Sequence, residues 1–194
     1  MTATLWLLRH GATEWSVDGR HTGNTDIPLT ATGRHNAEAL RPWVAGVPFA
    51  LVLSSPMQRA RDTAALAGLT DVTVEPELHE WAYGEYEGIT TTAIHEERPD
   101  WYLWRDGCPE GELPADVAAR VDRVLDRCAE VADAAADDVD LALVAHGHVL
   151  RALAARWLDQ PVQLGGHLAL SAGSLSLLGH ERQVPVLQRW NTTP

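Results

Sequence analysis

The sequence contains no lysine and no long apolar run. All 15 basic residues are arginines, set against 27 acidic residues, and the formal net charge is −12. The arginines form no basic run, which argues against nucleic acid or an anionic membrane as a partner. No apolar segment approaches the roughly 18 residues that cross a bilayer. An anionic ligand would therefore need a locally positive pocket in an otherwise acidic protein.

Cysteine is scarce, and the amino-terminal segment has no leader pattern. The two cysteines, Cys108 and Cys128, are too few for a disulfide framework. Met1 leads directly into the apolar segment Leu5 to Leu8, without a basic start or a cleavage site of small residues. We therefore expect a cytoplasmic protein. The length of 194 residues suits one domain over residues 1–194, with a site-lining insertion at about 76–114.

Short apolar runs alternate with amphipathic segments, which is typical of an α/β protein. Strands are predicted at about 5–8, 49–53, 71–75 and 141–145, and two or three more between 168 and 190, with Gly179 in a turn. Helices are predicted at about 30–41, from Ser55-Pro56 to Gly68, briefly at 91–97, at about 115–133, and after His146. We expect a three-layer α/β/α sandwich, a mostly parallel open sheet with helices on both faces.

Four polar side chains map to the carboxyl ends of these strands, where open α/β sheets bind ligands. They are Arg9, His10, Arg59 and His146. A neutral His10 imidazole can attack phosphorus, while neighbouring guanidinium groups oppose its protonation and bind phosphate oxygens. Arg9, Arg59 and His146 would form the phosphate clamp, because fixed donors stabilise charge on the transferred group. The pattern predicts phosphoryl transfer with His10 as nucleophile.

The proton donor for the leaving oxygen is harder to choose from the residues alone. Glu80 begins the aromatic stretch Glu80 to Tyr83, where partial desolvation would favour its protonated form. Glu77, Glu85 and Glu87 compete with Glu80, and the pattern leaves the choice open.

Four motifs in order resemble the histidine phosphatase superfamily, phosphoglycerate mutase-like branch, over nearly the whole chain. Leu8 to Gly11, followed by Thr13 to Trp15, resembles the signature around the nucleophilic histidine. Ser54 to Ala64 resembles the segment that supplies the second phosphate arginine, here Arg59. Leu78 to Gly88 resembles the segment whose first glutamate, here Glu80, is the proton donor, and Val144 to Gly147 resembles the second histidine motif.

The resemblance implies a phosphoglycerate mutase-like fold and a phosphohistidine intermediate on His10, with no cofactor and no metal. Water would hydrolyse the intermediate with Glu80 as base. Many relatives carry asparagine where this chain has Ser16. Residues of the motifs and their surroundings that are expected to bind substrate are Gly11, Ser16, Thr22, Gly23, Tyr83, Gly147 and His148, the last as a residue at the pocket rim or a donor at the helix start.

Within the superfamily, Trp104 to Cys108, Gly111-Glu112 and Ala145 to His148 resemble sedoheptulose bisphosphatases and broad-specificity acid phosphatases. The sequence is therefore interpreted as a phosphatase for a small phosphorylated metabolite, a sugar phosphate or bisphosphate. The alternatives are a cofactor-dependent phosphoglycerate mutase, a metallohydrolase using His146 and His148, and a non-catalytic module that binds phosphorylated ligands. Exposed aromatic residues in the insertion would offer a homodimer contact.

Overall fold

A computed structural model describes residues 2–194, and a six-stranded sheet forms their centre. The strands are β1 (Ala3–Arg9), β2 (Leu51–Ser54), β3 (Val72–Val74), β4 (Val139–Ala145), β5 (Leu175–Glu181) and β6 (Val184–Thr192). Their order across the sheet is β3-β2-β4-β1-β5-β6. The first four strands in this order are parallel, whereas β5 and β6 are antiparallel to their neighbours. The carboxyl ends of β1, β2 and β4 therefore meet at one edge.

Helices cover both faces of the sheet. They are α1 (Glu14–Asp18), α2 (Ala31–Ala39), α3 (Arg41–Val44), α4 (Gln58–Ala67), α5 (Thr91–Glu97), α6 (Leu103–Asp106), α7 (Pro114–Ala134) and α8 (Gly147–Trp157). One apolar core joins the sheet to α7 and α8, and a second joins it to α2, α3 and α4. The predicted three-layer α/β/α sandwich is confirmed. Within residues 2–194, no helix has the length and apolar character needed to span a membrane.

Two local predictions were wrong. Gly179 lies inside β5, opposite Val186, and the chain instead turns at Arg182, whose φ is 59°. Helix α4 begins at Gln58 with Met57 as its N-cap, two residues later than Ser55-Pro56 suggested. The Ser55 hydroxyl bonds to His146 instead of capping the helix, so this serine belongs to the site at the sheet edge.

The insertion at 76–114 is folded against the main core and contains α5, α6 and two single 3₁₀ turns. Trp81, Tyr83, Trp101 and Trp104 are buried, Tyr86 is half-buried, and Tyr102 alone of the six tryptophan and tyrosine residues at 81–104 is exposed. The expectation of several exposed aromatic residues for a homodimer contact was therefore wrong, because most of them complete the core beside α7 and α8.

Candidate active site

His10 follows β1 and borders a cavity of about 250 Å³ at the carboxyl edge of the sheet. Its backbone is fixed there, since its N–H donates to the Ala145 carbonyl at 2.9 Å and its carbonyl accepts from the Gly173 N–H at 2.9 Å. The ring Nδ1 lies 2.7 Å from the Gly11 carbonyl oxygen, which can only accept, so Nδ1 carries the proton. Nε2 is then the basic nitrogen, and it has no hydrogen-bond partner within residues 2–194.

The environment of His10 keeps the imidazole neutral. Burial lowers its pKa well below 6.5, and the nearby guanidinium groups of Arg9 and Arg59 lower it further. The hydrogen bond to the Gly11 carbonyl opposes this shift. The sequence predicted the effect of the arginines, but burial is the larger cause. A neutral imidazole with a free Nε2 is the form that can attack phosphorus.

Arg59 and His146 lie beneath His10 and do not line the cavity. The Arg59 Nε donates to His146 Nδ1 at 3.0 Å, and the rings of His146 and His10 are 5.0 Å apart. The same fully buried guanidinium donates to the carbonyl oxygens of Thr22, Gly23 and Thr25 at 3.0 to 3.1 Å. His146 Nε2–H donates to Ser55 Oγ at 2.7 Å, because its Nδ1 is already an acceptor. Arg59 thus places a fixed positive charge near the His10 ring and holds the loop at 22–25 in place.

Arg9 is the guanidinium that faces the cavity beside His10. One of its terminal nitrogens donates to the Leu170 carbonyl, and its Nε is buried without a partner within residues 2–194. Gly147 packs against it so closely that a Cβ at this glycine would lie 3.2 Å from Arg9 Cζ. This glycine therefore makes room for the Arg9 head group at the start of α8.

Glu80 also borders the cavity, and its carboxylate closes the amino terminus of α8. Oε1 accepts from the backbone N–H groups of Trp81 and Val149 at 3.0 and 2.9 Å, and Oε2 accepts from that of His148 at 2.9 Å. A carboxylate at this place satisfies helix N–H groups that have no partner in the helix. The folded chain thereby fixes both carboxylate oxygens of Glu80 beside this cavity.

The competing glutamates have other positions. Glu77 pairs with the exposed Arg123, Glu85 is exposed, and Glu87 accepts the N–H groups of Gly23 and Thr25. None of the three borders the cavity, whereas Glu80 does. Position therefore favours Glu80 among the four glutamates, and its role as proton donor stays a prediction.

Arg120 of α7 holds the Glu80 segment in place, although no sequence pattern indicated a role for it in the site. It is buried, and its guanidinium donates to the carbonyl oxygens of Glu77, His79 and Glu80 at 2.8 to 3.2 Å. The same group forms a fork to the Glu112 carboxylate at 2.7 and 3.0 Å. All five of its N–H groups are used, so Arg120 fixes the chain immediately before and at Glu80.

Five of the seven predicted substrate-binding residues border the cavity, namely Ser16, Thr22, Tyr83, Gly147 and His148. Gly11 and Gly23 do not. The Gly23 N–H is taken by the Glu87 carboxylate at 3.0 Å and the Gly11 N–H by Thr63 Oγ1 at 3.1 Å, so both glycines shape the loops. The Ser16 hydroxyl is also engaged, because it closes a capping box with the backbone of Thr13.

Tyr83 and His148 form a polar pair on the cavity wall. The Tyr83 hydroxyl lies 2.6 Å from His148 Nδ1. Burial raises the pKa of Tyr83 well above 10 and lowers that of His148 well below 6.5. The tyrosine is therefore the donor and the histidine the acceptor, which leaves the proton of His148 on Nε2.

Sequence reasoning missed several residues of the wall, which are Gly19, Arg20, His21, Thr91 and Arg151. Among them His21 is buried, and burial lowers its pKa to about 4. Arg151 lies four residues after Gly147 on α8, so helical spacing alone would have placed it on the face of Gly147.

Other features of the molecule offer less chemistry. A cavity of about 510 Å³ between the α3–β2 connection and β3 is lined by no histidine or arginine, and Asp71 is its one charged residue. Within residues 2–194, no three His, Cys, Asp or Glu side chains lie close enough to hold a metal ion together. Both ring nitrogens of His146 are hydrogen bonded, so it does not form the predicted alternative pair with His148.

Comparison with known proteins agrees with this geometry. The sequence profile described as histidine phosphatase superfamily (branch 1) matches residues 5–193. An acid phosphatase from Mycobacterium tuberculosis is 43% identical over 188 residues, which cover 94% of this chain and 91% of that protein. Sedoheptulose 1,7-bisphosphatase from Saccharomyces cerevisiae is 35% identical, covering 84% of this chain and 70% of the yeast protein. A solved structure of an open reading frame product from Mycobacterium tuberculosis has a TM-score of 0.92, 41% identity and 98% coverage of both chains. The chain therefore belongs to branch 1 of the histidine phosphatase superfamily and is a phosphoric monoester hydrolase.

Proposed function

We propose that the protein hydrolyses a small phosphorylated metabolite, a sugar phosphate or bisphosphate, through a phosphohistidine intermediate on His10. The neutral His10, with a free Nε2 beside the Arg9 guanidinium, is the observation that carries the proposal. The yeast relative is named for a sugar bisphosphate, which supports this substrate class, and the mycobacterial relative is named as an acid phosphatase, which supports phosphate hydrolysis.

In the first step, His10 Nε2 attacks phosphorus and the ester P–O bond breaks. Arg9 binds the phosphate oxygens from the cavity wall, while Arg59 and His146 support the charge from below. Glu80 donates a proton to the leaving oxygen, which departs as an alcohol. The products of this step are phosphohistidine and ionised Glu80.

In the second step, a water molecule attacks the phosphohistidine. Glu80, now a carboxylate, accepts the proton of the water, and the P–N bond breaks to return neutral His10. Inorganic phosphate leaves, and both residues regain their starting states. The cycle uses one water molecule for each ester bond and requires no further group.

The test is phosphate release from sugar phosphates, sugar bisphosphates and 3-phosphoglycerate, each with excess chelator. We expect chelator-resistant turnover that His10→Ala abolishes and His35→Ala leaves unchanged, because His35 is exposed and lies outside the cavity. Acid-labile, base-stable phosphate on the wild-type chain after rapid mixing with labelled substrate would identify the intermediate. Turnover that survives His10→Ala, or that the chelator removes, would overturn the proposal.

The same assay distinguishes the phosphatase from a mutase and from a non-catalytic binding module. An isomerised phosphate ester without net phosphate release would identify a mutase, since a mutase returns the phosphoryl group to substrate. Tight phosphate binding without turnover on any substrate would identify a binding module. A binding module needs no acidic side chain and free Nε2 on the same cavity, whereas a mutase needs both, so phosphate release decides between hydrolysis and transfer.

We further infer a single domain over residues 1–194 with the site-lining insertion at 76–114, a cytoplasmic location, and no nucleic-acid or membrane partner. Glu80, Tyr83 and Thr91 of the insertion reach the cavity, which supports its site-lining role. A homodimer stays a prediction, and sedimentation of the purified chain would test it.

A further inference from the structure

A second, smaller chamber of about 200 Å³ adjoins the phosphate cavity. The two spaces share His21, Thr91, His148 and Arg151. The remaining wall of the chamber is largely aromatic and consists of His95, Trp101, Tyr102, Leu103, Trp104 and Gly166. A phosphate at His10 would leave the rest of its substrate facing this chamber, so its wall decides which leaving groups fit.

Arg151 is held rigidly where the two spaces meet. Its Nε donates to the Gly165 carbonyl at 2.8 Å and one terminal nitrogen donates to the Gly166 carbonyl at 3.2 Å. Its guanidinium carbon lies 5.0 Å from the centre of the Trp104 ring. The other N–H groups of Arg151 have no partner within residues 2–194, and the residue lines both spaces. The side chain is therefore fixed before any ligand arrives, which reduces the entropy lost on binding.

The two glycines are needed for this arrangement. A Cβ at Gly165 would lie 2.5 Å from the Trp104 ring, and one at Gly166 would lie 2.1 Å from the Tyr102 hydroxyl. Their lack of side chains lets both aromatic residues pack against the backbone whose carbonyls hold Arg151. The Gly165 carbonyl, the Gly166 carbonyl and the Trp104 ring thus all contact the Arg151 guanidinium.

Within residues 2–194, Arg151 has no acidic partner, in contrast to Arg59 and Arg120. Arg59 lies 3.9 Å from Asp26, and Arg120 pairs with Glu112 at 2.7 Å. In the part of the chain that the structure describes, neither Arg9 nor Arg151 forms an ion pair. The one carboxylate on the cavity wall, Glu80, is already bonded to three backbone N–H groups. A phosphate beside His10 would occupy Arg9 and leave Arg151 free for another anion.

We propose that Arg151 binds a second anionic group, a phosphate or a carboxylate, on the leaving part of the substrate. The enzyme then favours substrates with two anionic groups that fit across the cavity and the aromatic chamber. Arginine suits this role because its planar guanidinium can bind either a phosphate or a carboxylate through two hydrogen bonds. This inference rests on the proposed function, since it assigns the specificity of the same site.

The test compares matched substrates on wild type, Arg151→Gln and Arg156→Gln. Fructose 1,6-bisphosphate is paired with fructose 6-phosphate, and 3-phosphoglycerate with glycerol 3-phosphate, so the two pairs separate phosphate from carboxylate recognition. Arg156 is the control because it lies on the same helix but pairs with Asp122, away from both spaces. We expect Arg151→Gln to lower kcat/KM about 10- to 100-fold for the substrate with two anionic groups in at least one pair, the range of a lost charge-assisted hydrogen bond. Its partner substrate should change less than about threefold.

Arg151→Lys supplies a second test, because it keeps the positive charge of the side chain but lacks the planar guanidinium. We expect it to recover part of the lost selectivity. An equal loss on both members of each pair in both variants would overturn the inference, since a purely structural role of Arg151 in holding Gly165 and Gly166 affects every substrate alike. Unchanged selectivity would overturn it too. In either case, retained turnover of the simple monophosphates would leave the proposed phosphatase function standing.

Discussion

At His10, tautomer and charge are set by different neighbours. The Gly11 carbonyl fixes the proton on Nδ1, while burial and the guanidinium groups of Arg9 and Arg59 hold the pKa of the ring well below 6.5. We therefore expect the His10 signal in a ¹⁵N-histidine spectrum, assigned by its loss in His10→Asn, to show a neutral ring at pH 6.5, where an unperturbed imidazole is half protonated. Arg9→Gln should move the titration to higher pH. A His10 ring that protonates near pH 6.5 would contradict this explanation.

Glu80 combines a chemical role with a structural one, and the two are separable by leaving group. Glu80→Gln should lower turnover of alkyl phosphates about 10²- to 10⁴-fold, the usual contribution of a general acid. With p-nitrophenyl phosphate, whose leaving group needs no proton, we expect a burst of one nitrophenolate per enzyme and then slow turnover, because the water step still lacks its base.

Glu85→Gln is the matched control for Glu80→Gln, since Glu85 is exposed in the same segment. It should leave both substrates unaffected. Glu80→Gln also presents an amide N–H to a backbone N–H of α8, which we expect to lower the free energy of unfolding by ~1 kcal/mol. Equal losses on both substrates without a burst would show that Glu80 acts only by capping α8.

The sequence predicted those residues of the site that strand ends position. Arg9 ends a buried strand, and His10 and His146 each follow one, so their meeting at one edge follows from a parallel sheet. Glu80 required the resemblance or the fold, because four glutamates lie within eleven residues and only the folded chain brings one of them to the cavity. His21 was missed because its loop position carries no local signal of a pocket, whereas for Arg151 the one signal was its helical spacing from Gly147.

Among the elements, the connection of α7 to the Glu80 segment depends on one buried arginine. Replacing Arg120 with Met would leave the Glu112 carboxylate half-buried and three carbonyl groups without their donor. Removing one partner from a buried ion pair is strongly destabilising, so we expect the free energy of unfolding to fall by ~3 kcal/mol in urea titration. Turnover should fall as well, because the Glu80 backbone loses its anchor.

Arg123 is the control for Arg120, since it lies on the same helix and pairs with Glu77 while its own side chain is 58% exposed. Arg123→Met should change the free energy of unfolding by less than about 1 kcal/mol. The double variant Arg120→Met/Glu112→Leu should recover part of the loss, because it removes the unpaired carboxylate. Equal stabilities of the Arg120 and Arg123 variants would disprove the positioning role.

Most helices and strands could be predicted because their apolar periodicity is strong. Helix α7 shows the limit of that signal, since its apolar stripe predicts the core face but gives no reason to bury Arg120 beside it. Helix α1 was missed because it has no buried face, and it is fixed instead by the capping box of Thr13 and Ser16. Gly179 was misplaced because a glycine in a paired strand resembles a turn residue in sequence.

Over the whole molecule, a net charge of −12 surrounds a cavity whose wall carries Arg9, Arg20 and Arg151. The overall field repels anionic substrates at long range, whereas the cavity attracts them once they are close. Added salt screens the long-range repulsion first. We expect kcat/KM for a dianionic substrate to fall less between 10 and 150 mM salt than the kcat/KM of a phosphatase with a positive net charge. Association rates from stopped-flow experiments would measure this salt dependence. A steep fall in the association rate with added salt would contradict this view.

Stability should depend on pH through the buried histidines of the site. The pKa values of His10, His146 and His148 lie well below 6.5 in the folded chain and that of His21 is about 4, with burial the largest cause in each. In the unfolded chain these rings titrate near 6.5, so below that pH the unfolded state binds more protons than the folded state. Stability therefore decreases as the pH is lowered. Each ring removes up to ~1.4 kcal/mol of stability per pH unit, over the window from 6.5 to about 4 for His21.

Urea titrations at pH 7.5, 6.5, 5.5 and 4.5 should therefore show little change in the free energy of unfolding above pH 6.5 and a steep loss below it. The His21→Gln variant should lose less stability than wild type over the acidic range, because one proton-binding site disappears from the unfolded chain. A free energy of unfolding that stays constant from pH 7.5 to 5 would mean that these rings are charged in the folded protein, and a charged His10 has no lone pair on Nε2 for attack on phosphorus.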